Sequence, residues 1–405
     1  MLFRSDCGTA ILNGIGLGFA NRVRRGPIGL VGASGTGLQA VTSAIHNLGS
    51  GVSHALGTGG RDLKSEIGGI TAHQGLEILA GDPETSVIVM VSKPPAPEIA
   101  AGLLGAARRC GKPVVVNFIG YPPPARRLGN LHFALNLADA AALAVGLAGS
   151  AVEEAPSAPA APVPSGRYLR GLFSGGTLAV EAVLGLQNLV FPLYTNVPIG
   201  EHQEIGNPLE SRGHTVVDLG EDVFTQGRLH PMLDNDLRIR RVRQEAEDET
   251  TGLILLDVVL GEGAHPDPAS ELAPAIAEVV SKRGIPVIVV LVGTEEDPQD
   301  LETQAEGFAA AGAEVYRDLQ AALERIAGYF PPQEMPAGTP IPPEALTTPL
   351  AAVNAGLESF YDSLTGQGAA AVQLDWRPPA GGNEKLAGIL AKLNNNAQKV
   401  ENHGL

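Results

Sequence analysis

The chain has 405 residues, of which 44% are hydrophobic and 18% charged, and its formal net charge is −16. This length predicts two or three domains, and the negative charge argues against nucleic acid and anionic membranes as partners. The two cysteines lack the spacing of metal ligands, and no apolar run is long enough to span a membrane. We therefore expect a cytoplasmic protein without a metal site.

Residues 1–150 alternate short apolar segments with helical patterns. In chain order, the predicted elements are a strand over 26–32, helices over 38–48 and 73–80, a strand over 86–92, a helix over 97–111 and a strand over 113–119. Strands and helices that alternate at this length are typical of βαβ units around a parallel sheet. This part of the chain is therefore predicted to be an α/β domain.

A Pro- and Ala-rich stretch over 151–166 predicts a linker, after which the same alternation resumes in 167–330. The predicted elements of this second domain are strands over 168–173, 252–259 and 286–292 and helices over 178–186 and 269–283. Residues 331–405 predict a Pro-rich linker, a strand at 370–375 and a C-terminal amphipathic helix. This segment is too short for a full core, so we expect it to dock on the main body or on a partner.

The two halves repeat each other in sequence. GLVGASGTGLQAV, at 29–41, matches RGLFSGGTLAVEAV, at 170–183, and an acidic turn, strand, loop and helix follow in both halves. A repeat of this length indicates two copies of one structural unit. The predicted fold is α/β, with two flavodoxin-like parallel-sheet domains about a pseudo-two-fold axis and a small C-terminal appendage.

Small residues follow the first strand of each half, where a helix begins. One turn contains Ser34, Gly35 and Thr36, and the other contains Ser174, Gly175, Gly176 and Thr177. Ligands of parallel sheets gather at the carboxyl ends of the strands, where free helix N–H groups can hold an anion. We therefore predict a phosphate site at these turns; the alternative is that they only cap the helices. The first turn lacks the lysine of a Walker A loop, because Leu38 and Gln39 follow Gly37, and no acidic residue completes a Rossmann fingerprint there.

Further candidates lie in loops at the predicted strand ends. They are Lys93 and His265 as catalytic residues, Gly59, Gly60 and Gly261 as anion-binding glycines, and Arg61, Asp62 and Asp218 as residues that orient a substrate. His230 is a weaker candidate in another loop. A lone histidine in a loop is commonly just solvated. The alternative for His265 is therefore a solvated side chain without a catalytic role.

These residues carry a resemblance to the ligase domains of succinyl-CoA synthetase. The α-subunit pattern is matched by the turn at 34–36, GTGGRD at 57–62, DPET at 82–85 and GKPVV at 111–115, and the β-subunit pattern by 173–177 and 253–276. The chain thus resembles both ligase domains fused over its first 330 residues. Among fused forms it is most similar to the FdrA family, through GPIGLVGASGTGLQAVTSAI at 26–45, VNFIGYPPP at 116–124 and DWRPPAGGNEKL at 375–386.

The FdrA resemblance implies a subunit of oxamate carbamoyltransferase, an enzyme of allantoin breakdown in purine catabolism. That enzyme converts oxalurate and phosphate to oxamate and carbamoyl phosphate. The resemblance implies phosphate or an acyl or carbamoyl phosphate as ligand, companion carbamoyltransferase subunits as partners, and a homo- or hetero-oligomer. Two alternatives remain open: a non-catalytic assembly or regulatory subunit, and a CoA ligase similar to succinyl-CoA synthetase.

The chain departs from the synthetase pattern at two places. Asn130 stands where the synthetases have a phosphorylated histidine, and His132 lies two positions further on. A phosphohistidine at this position is therefore not predicted. The family also opens with a CoA-binding domain, which we expect this chain to lack, so that it is truncated or shortened. CoA is then a possible ligand whose usual domain is absent.

Overall fold

The computed structural model describes residues 9–121, 125–149, 166–187, 189–330, 351–355, 357–375, 385, 386 and 389. The chain forms two compact units, Met1–Pro332 and Gln333–Leu405. The predicted linker over 151–166 lies outside the described residues except for Gly166, and the Pro-rich stretch over 331–350 also lies outside them.

The first sheet of the larger unit combines a parallel core with antiparallel edges. Its strands are β1 (Thr9–Leu12), β2 (Ile15–Gly18), β3 (Arg25–Ala33), β4 (Val52–Gly57), β5 (Val87–Ser92), β6 (Val114–Phe118), β7 (Arg127–Leu128) and β8 (Leu131–Phe133). Its helices are α1 (Gly35–Asn47), α2 (Ile70–Gly81), α3 (Pro97–Arg109) and α4 (Leu137–Leu147). The strand order is β2-β1-β4-β3-β5-β6-β8-β7, and the five strands from β4 to β8 are parallel.

The second sheet of the larger unit is parallel throughout. Its strands are β9 (Tyr168–Phe173), β10 (Leu193–Thr195), β11 (His214–Asp218), β12 (Thr251–Val259), β13 (Val287–Val292) and β14 (Glu314–Tyr316). Its helices are α5 (Gly176–Leu186), α6 (Asp222–Thr225), α7 (Asp236–Glu247), α8 (Pro268–Arg283), α9 (Leu301–Ala310) and α10 (Leu319–Tyr329), with a 3-10 turn at Glu201–Gln203. The strand order is β10-β11-β9-β12-β13-β14.

Both sheets contain the flavodoxin-like strand order. Numbered along each half, the five core strands follow the order 2-1-3-4-5, as β4-β3-β5-β6-β8 in the first sheet and β11-β9-β12-β13-β14 in the second. The predicted α/β class with two largely parallel sheets is therefore confirmed, and both sheets belong to one compact unit. The central strands are buried along their whole length, as expected for parallel sheets that helices cover on both faces.

The β1–β2 hairpin is an element that the sequence analysis did not predict. Asn13 and Gly14 form its turn with positive φ angles of 53° and 81°, the backbone that a two-residue type I′ turn requires. β1 then pairs with β4 in antiparallel orientation. The hairpin therefore extends the parallel sheet at its β4 edge.

Four helices join the two sheets in one apolar core. α1 packs against α4 and α5, and α5 packs against α10. Their buried side chains belong to a single cluster, which includes Leu38, Val41, Ile45, Ala140, Ala144, Leu178, Ala182, Leu186, Ala322 and Ile326. Because α1 and α4 belong to the first sheet and α5 and α10 to the second, the core is shared between the two halves.

The described residues of the smaller unit form one parallel βαβ element. It consists of β15 (Ala351–Ala355), α11 (Glu358–Gly366) and β16 (Ala370–Leu374). The amphipathic helix predicted beyond residue 383 lies largely outside the described residues, and docking of this segment stays a prediction. Of the described helices, none is both long and apolar enough to cross a membrane. The described part of the chain also contains no cluster of His, Cys, Asp or Glu suited to a metal ion.

Replacement of Gly32 by alanine is expected to destabilise the larger unit. An added Cβ would lie 2.0 Å from the carbonyl oxygen of Val91 in the neighbouring strand, and the backbone of a central strand cannot move aside. We expect the free energy of unfolding, measured by urea denaturation, to fall by about 2 kcal/mol or more. The matched control is Gly146→Ala in α4, where nothing lies within 4 Å of the added Cβ. Equal losses of stability in both variants would contradict this packing.

Candidate anion site

The N-termini of α1 and α5 meet in reciprocal contacts. Ser34 caps α1, and its Oγ lies 2.7 Å from Oγ1 of Thr177 in the first turn of α5. Gly175 caps α5, and a Cβ at Gly175 would lie 2.5 Å from Cγ2 of Thr36 in the first turn of α1. Each N-cap residue therefore touches the second residue of the other helix, as a pseudo-two-fold axis between them requires. The structural equivalent of Ser34 is thus Gly175, one position after Ser174.

A cavity of about 320 Å³ opens beside these two helix ends. The turns contribute Ser34, Gly35, Thr36, Gly175, Gly176 and Thr177 to its lining, and other elements contribute Thr9, Phe19, Ala33, Gln39, Gly60, Lys93, His230 and Met232. The first amides of a helix have no acceptor within the helix, and its positive dipole end attracts anions. Two such helix ends at one cavity form a site suited to an anion.

Lys93 and Asp218 come together over Gly176. Lys93 follows β5, Asp218 ends β11, and a Cβ at Gly176 would lie 2.6 Å both from Lys93 Nζ and from Asp218 Oδ2. Only glycine leaves room for both side chains at this point. Lys93 lines the cavity, and its charge also favours the charged forms of the nearby Asp218 and Glu221 carboxyl groups.

Burial raises the pKa of Asp218 to about 7, although the Gly220 N–H bond and the charge of Lys93 act in the opposite direction. The Gly220 amide donates to Oδ1 over 2.8 Å. Asn196 Oδ1 accepts from the Asp218 backbone amide, and this fixes the end of β11. The carboxyl group is therefore divided between its neutral and charged forms near neutral pH.

The buried carboxyl group of Asp257 holds the turn at 174–177 in place. Both Ser174 N and Ser174 Oγ donate to the Asp257 carboxylate, each over 2.7 Å. Arg238 donates to the Asp257 carbonyl and, over 3.2 Å, to Oδ1. Burial raises the pKa of Asp257, while Arg238 and Ser174 favour its charged form. Ser174 thus faces the protein interior and positions the turn, and it does not line the cavity.

His230 lines the cavity, although its sequence signal was weak. Its Nδ1 accepts the Met232 amide over 3.3 Å, which places the ring proton on Nε2. The ring packs against Phe19 with centroids 5.7 Å apart. Burial, and then the charge of Arg238, lower the pKa of His230. The neutral ring therefore presents an N–H donor. The sequence signal for His230 was its position in a loop, which the structure places between α6 and α7, beyond the carboxyl end of β11.

Gly261 and His265 lie outside the cavity lining. The Gly261 amide donates to Gln299 Oε1 over 3.0 Å, so it is not available to an anion. A Cβ at Gly261 would lie 2.5 Å from the Ala20 carbonyl oxygen, so the glycine is needed for this close approach. His265 Nε2 lies 3.3 Å from Glu271 Oε2, a contact at the start of α8.

The loop at 57–62 brings only part of its predicted residues to the cavity. Gly60 lines it, whereas Gly59, Arg61 and Asp62 do not. Asp62 is buried and accepts the Thr71 and Ala72 amides over 2.9 and 2.8 Å, which caps the first turn of α2. Arg61 is exposed.

Asn130, at the position of the synthetase histidine, has a structural role. Its Nδ2 donates to the carbonyl oxygens of Ala107 and Lys112 over 2.9 and 2.7 Å. His132 lies on β8 and does not line the cavity. Neither residue is therefore placed to act on an anion at the helix ends.

Two family models match the chain. A CoA binding domain model matches residues 23–120, and a CoA-ligase model matches residues 172–328. The prediction that the chain lacks a CoA-binding domain is therefore wrong. The segment that the CoA binding domain model matches, residues 23–120, contains the strand-turn-helix units that the sequence analysis assigned to a ligase domain. Both kinds of domain place a glycine turn between a parallel strand and a helix, so the pattern of elements does not separate them.

The uncharacterized protein YahF of Escherichia coli (strain K12) is 38% identical over 327 residues, which cover 77% of this chain and 64% of YahF. The chain thus spans less than two thirds of this relative.

The solved structures that resemble this chain have low sequence identity to it. One is the dinucleotide forming acetyl-coenzyme A synthetase 1 of Ca. Korarchaeum cryptofilum, in complex with phosphate and ADP. It is 15% identical, 80% of this chain and 68% of that chain are covered, and the TM-score is 0.30. The ATP citrate lyase of Methanothrix soehngenii, in complex with citrate and coenzyme A, is 12% identical, with coverages of 82% and 55% and a TM-score of 0.23. The chain therefore carries a segment similar to CoA-binding domains followed by a segment similar to CoA ligases.

Proposed function

We propose that the chain binds phosphate, or an acyl or carbamoyl phosphate, between the N-termini of α1 and α5 and acts as a subunit of a group-transferring enzyme. The observation that carries this proposal is the reciprocal contact of the two helix ends beside a cavity that contains Lys93. Preorganised amides and one cation stabilise negative charge without reorganisation during a reaction. Similarity to CoA-binding and CoA-ligase models supports an enzyme of the acyl-CoA synthetase kind.

The specific reaction that we propose is that of oxamate carbamoyltransferase in allantoin degradation. A phosphate oxygen attacks the carbamoyl carbon of oxalurate, the bond from that carbon to the oxamate nitrogen breaks, and the phosphate proton ends on the oxamate nitrogen. His230 and Asp218 are the titratable groups beside the cavity that can donate to the developing charge and relay this proton. The FdrA-like motifs at 26–45 and 375–386 support this choice of substrate.

A second candidate is a CoA ligase, which the two family matches favour. In that reaction the CoA thiol attacks the carbonyl carbon of an acyl phosphate, and phosphate leaves toward the helix ends. Both candidates need the same phosphate site, and they differ in the attacking group. We also propose, from the FdrA resemblance, that companion subunits complete the active enzyme in the cytoplasm.

Turnover assays separate the candidates. The chain is assayed together with companion carbamoyltransferase subunits, and the same subunits are assayed without it. Phosphate-dependent formation of oxamate only when the chain is present would support carbamoyl transfer. CoA-dependent release of phosphate from acetyl phosphate would support the ligase. Oxalurate turnover by the companions alone would leave the chain a non-catalytic subunit.

Removal of the Lys93 charge is expected to weaken phosphate binding. A charge-assisted hydrogen bond from lysine to phosphate contributes about 1.5–3 kcal/mol, so Lys93→Ala should raise the dissociation constant about tenfold or more. Isothermal titration with inorganic phosphate and with carbamoyl phosphate measures this change. The charge-matched control is Lys282→Ala on α8, whose amine pairs with Glu278. Equal phosphate affinities of wild type and Lys93→Ala would refute the site.

Ionisation of Asp218 is expected to oppose anion binding. Because burial raises its pKa to about 7, the carboxyl group is mostly neutral near about pH 6 and mostly charged near about pH 8. Sulfate does not titrate in this range, so it is the suitable probe. Wild-type affinity for sulfate should fall about three- to tenfold over the interval, since the new negative charge lies next to Gly176, at the cavity. In Asp218→Asn most of this fall should disappear, and an unchanged pH profile would contradict the assignment.

A further inference from the structure

A second cavity, of about 170 Å³, lies on the far side of α5 from its first turn. It is bounded by the end of β6, the starts of α4 and α10, and the middle of α5. Its described lining shares no residue with the cavity at the helix ends. The volume corresponds to about six water molecules, which is also the space of a small organic ligand.

Glu181, on α5, brings a carboxyl group to this cavity. The residue is 8% exposed, and its Oε1 accepts the Leu137 amide at the start of α4 over 2.7 Å. Among the described residues, the other carboxyl oxygen makes no hydrogen bond. Burial raises the pKa of Glu181 to about 7, and Asp318 raises it further, while the Leu137 amide acts in the opposite direction. At neutral pH a large share of this group is therefore an uncharged acid.

Asn117 brings an acceptor without a partner. It belongs to β6, it is 3% exposed, and its Nδ2 donates to the Ala134 carbonyl oxygen over 3.3 Å. Within the described part of the chain, Asn117 Oδ1 has no hydrogen-bond partner. A buried carbonyl oxygen left without a donor costs about 1–3 kcal/mol, so buried polar groups are normally satisfied by protein, water or ligand.

The remaining lining is suited to an uncharged molecule. Asn136 and Gln320 contribute side-chain amides, joined by a 3.0 Å hydrogen bond from Asn136 Nδ2 to Gln320 Oε1. Leu184 and Leu323 contribute apolar walls. No Lys or Arg lies in the described lining to pair with an anion.

We propose that this second cavity binds a small uncharged ligand that carries a carbamoyl group, either a primary amide or a urea-type compound. One ligand N–H donates to Asn117 Oδ1, and the ligand carbonyl oxygen and its other N–H pair with the Glu181 carboxyl group as amide and acid. An anionic ligand would lie next to the Glu181 carboxyl group, and no cation in the described lining would offset its charge. A cationic ligand would require Glu181 to ionise in a buried place. The proposal does not depend on the proposed function, because it concerns different residues.

Methyl NMR spectra of the full chain test the proposal. Ile119, Leu184 and Leu323 line the cavity and serve as reporters. The probes are acetamide and urea at non-denaturing concentrations. Methylammonium and acetate serve as the cationic and anionic comparison ligands. Acetamide and urea should shift these methyl signals saturably. Asn117→Leu, which keeps the volume and removes the acceptor, should weaken binding at least tenfold. Glu306→Gln on the exposed face of α9 is the control and should bind as wild type.

Three results would overturn the proposal. They are no saturable shift with acetamide or urea up to about 50 mM, unchanged binding in Asn117→Leu, and tighter binding of methylammonium or acetate than of acetamide. If Asn117→Leu does not fold, Glu181→Ala replaces it. This variant removes both the donor and the acceptor that pair with the ligand amide, so it should also weaken binding. Unchanged binding in Glu181→Ala would equally reject the assignment.

Discussion

Two helices meet end to end in the larger unit, and the contact of their first turns determines the geometry of the candidate site. Helix N-termini repel each other electrostatically, because each carries about half a positive charge. Here the Ser34–Thr177 hydrogen bond and the close fit of Gly175 against Thr36 hold them together. The shared apolar core of α1, α4, α5 and α10 supplies the stabilisation that this arrangement needs. A bound anion would neutralise the remaining repulsion.

The charges around the site form two layers with different roles. Asp257 and Arg238 lie behind Ser174, fully buried and hydrogen-bonded, and they hold the turn at the end of β9. Lys93 and Asp218 lie in front, over Gly176, where they can act on a ligand. Breaking the inner pair would leave an uncompensated buried charge and cost stability. Changing the outer pair would alter the affinity for an anion.

The repeat in the sequence was sufficient to predict the α/β class, the two parallel sheets and the glycine turns at 34–36 and 174–177, because these depend on local patterns. His230 was only a weaker candidate in the sequence, since its place at the cavity depends on how the loop between α6 and α7 folds. Gly261 and Asp62 look like ligand-binding residues in sequence. Their polar groups are used within the protein, by Gln299 and by the first turn of α2, and only tertiary structure shows this.

Each half of the larger unit supplies one of the two helix ends, and this has a consequence for stability. The site exists only while both halves are folded and packed together, so an anion that binds there binds only the native arrangement. By mass action, such a ligand stabilises the packed state by RT ln(1 + [L]/Kd). Any anion bound there would thus act as a reversible cross-link between the halves, and the thermal stability of the chain would rise with the concentration of that anion.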